Sequence, residues 1–337
     1  MTRQANRPRV AVIGTGGSIS IQGRHPLDLY EYGDHGRVLE VDELLGRVPD
    51  LSGAADIVPV RFRALRSTAV GPPDWLELND LIHRVVADEA SLDGLVITHG
   101  TATLEETAYF LNLTAKVDLP IVVVGAQRPP TGLSTDAAIN LLDAVRVAAA
   151  PQCRGLGVLT LLNNEIQAAR EVTKTSNYRL EAFRSPDLGM LGYADPDGSV
   201  VIYRAPTRRH APDTAFDVRG RQALPRVDIA YSYAGSDGAV IEALVARGAE
   251  AIVLAALAPG MVTPGEGQAV AEARRRGVLV VQSSRAGSGR VLRRGQLRDQ
   301  GIVAADNLNP QKARVLAMLG LTVTTDPERV QHLFDEY

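Results

Sequence analysis

The chain has 337 residues, enough for two α/β domains rather than one core. Apolar residues make up 45% and charged residues 22%, a balance typical of a soluble globular protein. The net charge of −3 and the short, scattered arginine runs argue against a nucleic-acid partner. No apolar run approaches the roughly 18 residues that span a bilayer, so no membrane partner is expected.

The single cysteine, Cys153, excludes an intrachain disulfide and a thiolate metal cluster. The six histidines are scattered without ligand spacing, so neither a metal nor another cofactor is expected. Residues 1–9 are polar and basic and lead into a strand without an apolar signal segment. The expected location is the cytoplasm, unless a leader was removed.

Strand-like and helical patterns alternate along the first half of the chain. β-branched runs predict strands at 10–14, 57–62, 94–98, 121–124 and 156–162. Helices are predicted at 73–90, 104–113 and 135–149. Apolar strands joined by helical crossovers indicate a mostly parallel sheet covered on both faces.

The alternation breaks between residues 193 and 225, where prolines and clustered Arg and Asp residues predict an irregular or β-hairpin segment and then a linker. After it, strands are predicted at 227–231, 251–255 and 278–282, helices at 237–247 and 266–276, and two helices at the end of the chain. The sequence therefore predicts a large N-terminal domain (1–205), a linker (206–225) and a smaller C-terminal α/β domain (226–337).

A glycine-rich turn, Gly14-Thr15-Gly16-Gly17, follows the first predicted strand. Such a turn lets backbone amides approach an anion or a polarised carbonyl. The dinucleotide fingerprint fails because its third glycine would fall at Ile19, and no Gly-Lys-Ser/Thr follows to complete a phosphate-binding loop. A tight turn without a catalytic role would be enough to account for the glycines. Thr15, however, is a hydroxyl on an exposed turn, and threonine is a nucleophile when a base or cation activates it.

Residues 98–103 read Thr-His-Gly-Thr-Ala-Thr. The first of them ends the predicted apolar strand 94–98, and the others follow it. Open α/β sheets place ligands at the carboxyl ends of strands, so His99 and Thr101 are candidate site residues. A single histidine is more often a hydrogen-bonded structural residue than a base, and Thr101 or Thr103 can instead cap the next helix. A third candidate, Lys174, lies between two threonines, where a lysine is usually on the surface. If it is buried near Thr101, its pKa is lowered and it is able to relay a proton.

These motifs, in this order, resemble those of the bacterial L-asparaginase/glutaminase family. Residues 124–129, Val-Gly-Ala-Gln-Arg-Pro, are similar to the family's Val-Gly-Ala-Met-Arg-Pro, and residues 308–316 match the start of its C-terminal helix. The resemblance implies a two-domain asparaginase-like α/β fold and a homotetramer built as a dimer of dimers. It also implies active sites that combine the N-terminal domain of one subunit with the C-terminal domain of a neighbour.

The resemblance implies amide hydrolysis through a threonine acyl-enzyme. Thr15 matches the nucleophile, and Thr101 and Lys174 match the threonine and lysine of a second triad. The lid tyrosine falls in Tyr30-Glu31-Tyr32-Gly33, where the Tyr-x-x-Gly spacing favours Tyr30 over Tyr32. The positions that match or flank the family's substrate-binding groups are Ser67 (for the α-carboxylate), Ala126 (for the side-chain carbonyl), Thr68, Gly100 and Ala102.

The departures from the family pattern all concern the substrate's α-ammonium group. The family binds it with an Asp after the second Thr, a Gln after the Ser, and an Asn and a Glu from the neighbouring subunit. The corresponding positions here are Ala102, Thr68, Gly235 and the segment 290–296, which contains no acid. The Arg-rich part of that segment, 290–294, would suit a second anionic or acylated group if it faced the site.

The sequence therefore predicts an asparaginase-type amidohydrolase for a small amide, imide or lactam without a free α-amine, with weak or no L-asparaginase activity. One alternative is an ordinary L-asparaginase/glutaminase. The other is a catalytically impaired ligand-binding homologue, because Ala102 also removes the carboxylate that would orient Lys174 and Thr101.

Overall fold

The computed structural model describes residues 7–48, 50–89 and 91–337. The chain divides into two compact units between Asp213 and Thr214, a point inside the segment predicted as a linker. No helix among the described residues is long and apolar enough to cross a membrane.

The N-terminal unit is built on a mostly parallel β-sheet. Its described residues form the strands β1 (Arg9–Gly16), β2 (Asp56–Leu65), β3 (Gly94–Thr98), β4 (Ile121–Val124), β5 (Val158–Leu162), β6 (Glu165–Ala168), β7 (Thr173–Lys174), β8 (Phe183–Arg184), β9 (Gly192–Ala194) and β10 (Val200–Ile202). Strands β7 and β8 pair with each other, and the rest form one sheet in the order β10-β9-β6-β5-β4-β3-β1-β2. The five strands from β5 to β2 in this order are parallel, whereas β6, β9 and β10 pair antiparallel at the other edge.

Continuous apolar runs produce the buried central strands. Every residue of β3 and of β4 is buried, as expected for parallel strands covered on both faces, and their predicted bounds are confirmed. The prediction for β5 was wrong at its start, because Gly155 and Gly157 adopt φ angles of +70° and +72° that end the extended conformation. Of the antiparallel edge strands, β6 was not predicted, since it has only four residues, whereas β9 and β10 form a hairpin where the sequence predicted an irregular or β-hairpin segment.

The helices of this unit are α1 (Tyr32–His35), α2 (Val41–Leu45), α3 (Leu51–Ala54), α4 (Pro72–Asp88), α5 (Leu104–Thr114) and α6 (Ala137–Ala149). The helix predicted over 73–90 is α4, but residue 90 lies outside the described residues. Helix α6 begins two residues later than predicted, because the carboxylate of Asp136 binds the backbone of the preceding loop. Helices α1 to α3 were missed, since four or five residues are too few to show a helical period.

The C-terminal unit has a smaller parallel sheet. Its described strands are β11 (Val227–Tyr231), β12 (Ala251–Ala256), β13 (Leu279–Ser284) and β14 (Val303–Ala304), in that order across the sheet. Its helices are α7 (Ala239–Ala246), α8 (Pro264–Arg275), α9 (Gly295–Asp299), α10 (Pro310–Leu321) and α11 (Pro327–Glu336). Between residues 193 and 225 the chain forms the β9–β10 hairpin and then no further helix or strand, which agrees with the irregular or β-hairpin segment predicted there.

Candidate active site

The order of the strands brings the sequence motifs to one edge of the large sheet. Strand β1 lies between β2 and β3, and β4 lies on the far side of β3, all parallel. The chain passes from β1 to β2 on one side and then to β3 on the other, so β1 and β3 flank a topological switch point. Sheets of this kind bind ligands outside the carboxyl ends of the strands at that point. Thr15 lies at the carboxyl end of β1 and Thr101 three residues beyond β3.

Thr15 is fixed across the switch point. Its Oγ1 donates a hydrogen bond to the backbone carbonyl of Thr98, the last residue of β3, at 2.7 Å. The residue is 3% exposed, so the expectation of an exposed turn was wrong: the adjoining loops cover it. The two oxygen lone pairs of the hydroxyl remain available for attack or for accepting a proton.

The loops after β1, β2 and β3 pack backbone to backbone. Gly17 has a φ of +81°, and a Cβ atom there would overlap the backbone of Gly100. A Cβ atom at Gly100 would in turn overlap the side chain of Ser67, which follows β2. These glycines therefore allow Ser67 to approach the threonine loop directly. Ser67 is half-buried and Thr68 is exposed.

Thr101 and Lys174 are in direct contact, a proximity that the sequence alone did not establish. The Lys174 ammonium donates a hydrogen bond to the Thr101 hydroxyl at 2.8 Å. Thr101 is buried and Lys174 is half-buried on the β7–β8 hairpin, where it pairs with Phe183. Burial lowers the pKa of Lys174, because desolvation penalises the charged form. Among the described residues, Lys174 has no carboxylate within ion-pair distance.

Ala102, the residue that follows Thr101, is exposed. The following residue, Thr103, precedes α5, but its side chain does not cap that helix. Its hydroxyl instead donates a hydrogen bond to the backbone carbonyl of Ser67 at 2.8 Å. The helix-cap interpretation of Thr103 was therefore wrong, and the hydroxyl joins two of the loops that surround the site.

His99 has a structural role in this cluster, which was the favoured interpretation of the sequence. It is fully buried, and burial lowers its pKa to about 4, so the ring is neutral at pH 7. Its Nδ1 is 2.8 Å from the Gly100 carbonyl, which only accepts, so Nδ1 carries the proton. Its Nε2 then accepts a hydrogen bond from the Thr107 hydroxyl, which accepts one from the Trp75 indole N–H, each at 2.9 Å. Both ring nitrogens are thus occupied.

The loop after β4 forms another side of the site. Gly125 lies against Thr101, since a Cβ atom at this glycine would be 3.0 Å from the Thr101 methyl group. Ala126 is fully buried. The buried Asp136 carboxylate accepts hydrogen bonds from the backbone amides of Gln127 and Arg128, each at 2.9 Å. The sequence pattern placed Asp136 only within a packed helix. A carboxylate next to the apolar start of that helix was the available sign that Asp136 has a buried partner.

The tyrosine that faces this region is Tyr32. Tyr30 is 72% exposed, whereas Tyr32 is half-buried at the start of α1. Burial raises the pKa of Tyr32, a hydrogen bond with the Ser18 side chain opposes that rise, and the negative charge of Asp136 adds to it. This placement favours Tyr32 over the Tyr30 that the motif spacing favoured.

In the C-terminal unit, Gly235 lies exposed after β11 with a φ of +81° and open space around its Cα. The arginines of the segment 290–294 have partners within the same unit. Arg290 pairs with Asp306, Arg293 pairs with Glu328, and Arg294 donates to the Gly260 carbonyl at 2.8 Å. These contacts leave little basis for the suggestion that the segment binds a second anionic group.

Comparison with known proteins decides the family. A model of the asparaginase N-terminal domain matches residues 9–208, and a model of the glutaminase/asparaginase C-terminal domain matches residues 226–334. The chain belongs to the asparaginase/glutaminase family. Two relatives in this family are a protein named L-asparaginase 2 from Bacillus subtilis (38% identity over 98% of this chain and 87% of the relative) and one named glutaminase-asparaginase from Pseudomonas fluorescens (40% identity over 100% and 91%).

A solved asparaginase structure has the same fold. The crystal structure of a probable cytoplasmic L-asparaginase from Campylobacter jejuni matches with a TM-score of 0.93 and 38% identity, over 98% of this chain and 100% of that one. The fold is therefore the two-domain α/β asparaginase fold, with a large, mostly parallel N-terminal sheet and a smaller parallel C-terminal sheet.

Proposed function

We propose that the protein hydrolyses the C–N bond of a small amide, imide or lactam that lacks a free α-amino group, with Thr15 as the nucleophile. The observation that carries the proposal is the cluster at the switch point. A buried threonine hydroxyl lies at the end of β1, and beyond β3 a second threonine is hydrogen-bonded to a lysine that has a lowered pKa. Asparaginase-family membership supports the reaction class.

The reaction then takes two steps. Thr15 Oγ1 attacks the amide carbonyl carbon and transfers its proton toward the leaving nitrogen, the C–N bond breaks, and the acyl group stays on Thr15 as an ester. Water hydrolyses the ester, releases the acid and restores the hydroxyl. Burial lowers the pKa of the half-buried Lys174, which makes its proton easier to donate, and its hydrogen bond to Thr101 provides the path. The backbone at Ala126 receives the substrate carbonyl.

The charge of the cluster supports the choice of substrate. An α-ammonium group in a partly desolvated site needs carboxylates around it. Here the exposed residues Thr68 and Ala102 carry no charge, and the charged side chain that is hydrogen-bonded to Thr101 is the cation Lys174. The site is therefore a poor environment for a second cation. The names of the relatives favour the ordinary L-asparaginase/glutaminase alternative, so the two have to be separated by experiment.

A substrate panel tests the proposal. Succinamate, N-acetyl-L-asparagine and succinimide lack the free α-amine, whereas L-asparagine carries it. We expect kcat/KM for at least one of the first three to exceed that for L-asparagine by about tenfold or more, as measured by ammonia or acid release. Thr15→Ala is the control for contaminating hydrolases. A higher kcat/KM for L-asparagine than for all three would support the ordinary asparaginase, and ligand-induced stabilisation without turnover would support the impaired binder.

Tyr32→Phe is expected to lower kcat by about 10²-fold or more, because Tyr32 is the half-buried tyrosine hydrogen-bonded beside the glycine-rich loop. The matched control is Tyr30→Phe, which removes an equally small group from a side chain that is 72% exposed and should change kcat less than threefold. Steady-state kinetics on the best substrate of the panel measures both. A larger loss of kcat in Tyr30→Phe than in Tyr32→Phe would instead identify Tyr30 as the lid tyrosine.

The site is further proposed to be completed by the C-terminal unit of a neighbouring subunit in a homotetramer, and the protein to act in the cytoplasm. The first proposal follows from the family resemblance, and the second is supported by the name of the Campylobacter relative. Light scattering coupled to size-exclusion chromatography tests the first: a stable monomer with full activity would exclude it. Cell fractionation tests the second.

A further inference from the structure

Lys174 has hydrogen-bonding capacity that the described residues do not use. Its ammonium has three N–H donors, and one of them binds the Thr101 hydroxyl at 2.8 Å. The side chain is half-buried, yet no described carboxylate lies within ion-pair distance of it. A partly desolvated cation without a counter-ion is under-stabilised, since desolvation is not offset by an opposite charge.

Position 102 provides the space that a counter-ion needs. Ala102 is exposed and is bonded directly to Thr101, the residue whose hydroxyl accepts the Lys174 hydrogen bond. Its neighbours are fixed on both sides, because Gly100 packs against Ser67 and the Thr103 hydroxyl binds the Ser67 carbonyl. The alanine supplies a Cβ atom and nothing beyond it. A formate ion adds one carbon and two oxygens, the atoms that separate an alanine side chain from an aspartate side chain.

We propose that the space beside Ala102 and Lys174 is a binding site for a small carboxylate, which acts as the counter-ion of Lys174. The carboxylate is either free in solution or part of the substrate. This inference deepens the proposed function: a substrate that carries a carboxylate here, where an amino acid would carry its ammonium group, completes the Thr101–Lys174 pair itself. The specificity-determining residue is then Ala102, because any acidic side chain there would occupy the site.

The binding arm of the test does not depend on turnover. Thermal unfolding is measured in sodium formate and in sodium chloride at the same ionic strength. Formate is expected to raise the unfolding midpoint of the wild-type protein by about 2 °C relative to chloride at a concentration near ten times its Kd, with saturation. Ala102→Asp is the matched variant: it places a carboxylate in the same space on an exposed loop and should show no formate-specific shift.

The kinetic arm distinguishes a free carboxylate from a substrate carboxylate. Succinamate has hydrogen where the amino acid has its ammonium group, and carbamoylmethylmalonate has a carboxylate there. Formate should raise kcat/KM for succinamate by about tenfold, the effect of one hydrogen bond to a charged group. It should not raise kcat/KM for carbamoylmethylmalonate, which fills the site. Ala102→Asp should remove the activation of succinamate hydrolysis.

A formate effect equal to that of chloride, or one that persists in Ala102→Asp, would overturn the inference. A second variant, Lys174→Met, should lose the formate-specific shift while keeping its folded circular dichroism spectrum. If no amide is turned over at all, the proposed function fails, but the unfolding comparison still decides whether the carboxylate site exists.

Discussion

Thr15→Val is expected to lower kcat/KM by at least about 10³-fold on every amide that the protein hydrolyses. Valine replaces the hydroxyl with a methyl group and keeps the side-chain volume, which matters because Thr15 is 3% exposed among tightly packed loops. The variant loses the only nucleophilic atom that the proposal assigns to the first step. It also loses the hydrogen bond to the Thr98 carbonyl, so a stability change of about 1 kcal/mol is expected alongside.

Thr15→Ser is the conservative control. It keeps the hydroxyl and its hydrogen bond, so kcat/KM should stay within about tenfold to a hundredfold of the wild-type value. Both variants should be compared by circular dichroism before the kinetic assay. Retention of more than a tenth of wild-type kcat/KM by Thr15→Val would show that another group, such as Thr101, attacks the substrate.

The parts of the site that local patterns encode were predictable from the sequence. Strands β3 and β4 are continuous apolar runs, and the alternation of strands and helices indicates parallel pairing. A parallel sheet places its ligands at the carboxyl ends of its strands, so Thr15 and Thr101 were candidates before their contact partners were known. The glycine-rich turn at 14–17 indicated a close approach of its backbone to a ligand, whereas its packing against Gly100 was not predicted.

The rest depended on contacts between distant segments. The hydrogen bond between Lys174 and Thr101 joins residues 73 positions apart and requires the β7–β8 hairpin, whose strands are two residues long. No local period marks such a hairpin. The same holds for Tyr32: its spacing motif pointed to Tyr30, and only the packing of α1 shows which ring is half-buried.

The partners of the arginines at 290–294 lie elsewhere in the C-terminal unit, on Asp306 and Glu328. A basic run in sequence suggests a free positive surface. Tertiary pairing removes that suggestion, because each of these two guanidinium groups already has a counter-ion. The sequence therefore showed where positive charge is concentrated, but not whether the guanidinium groups are free to bind a ligand.

The second large effect concerns L-asparagine. Removing one partner of a buried charge pair costs about 2–5 kcal/mol, which corresponds to roughly 10¹–10⁴ in kcat/KM. Since the resemblance implies carboxylates around the ammonium group and the corresponding positions here contain no acid, kcat/KM for L-asparagine should be lower than that of an ordinary asparaginase by about that range. Steady-state ammonia release at saturating and sub-saturating L-asparagine measures it, and turnover comparable to that of an ordinary asparaginase would contradict the substrate proposal.

Ala102→Asp isolates one contribution to this loss. The new carboxylate would lie beside Lys174 and the substrate ammonium, so kcat/KM for L-asparagine should rise by about tenfold without reaching that of an ordinary asparaginase. Adding Thr68→Gln and Gly235→Asn should raise it further, and the φ of +81° at residue 235 is one that Asn tolerates better than most residues. Succinamate is the matched substrate, because it has no ammonium group for the introduced carboxylate to bind. Any rise in its kcat/KM without formate should therefore come only from the new counter-ion beside Lys174. An equal gain on both substrates would assign the whole effect of position 102 to Lys174, whereas a larger gain on L-asparagine would assign the difference to recognition of the ammonium group.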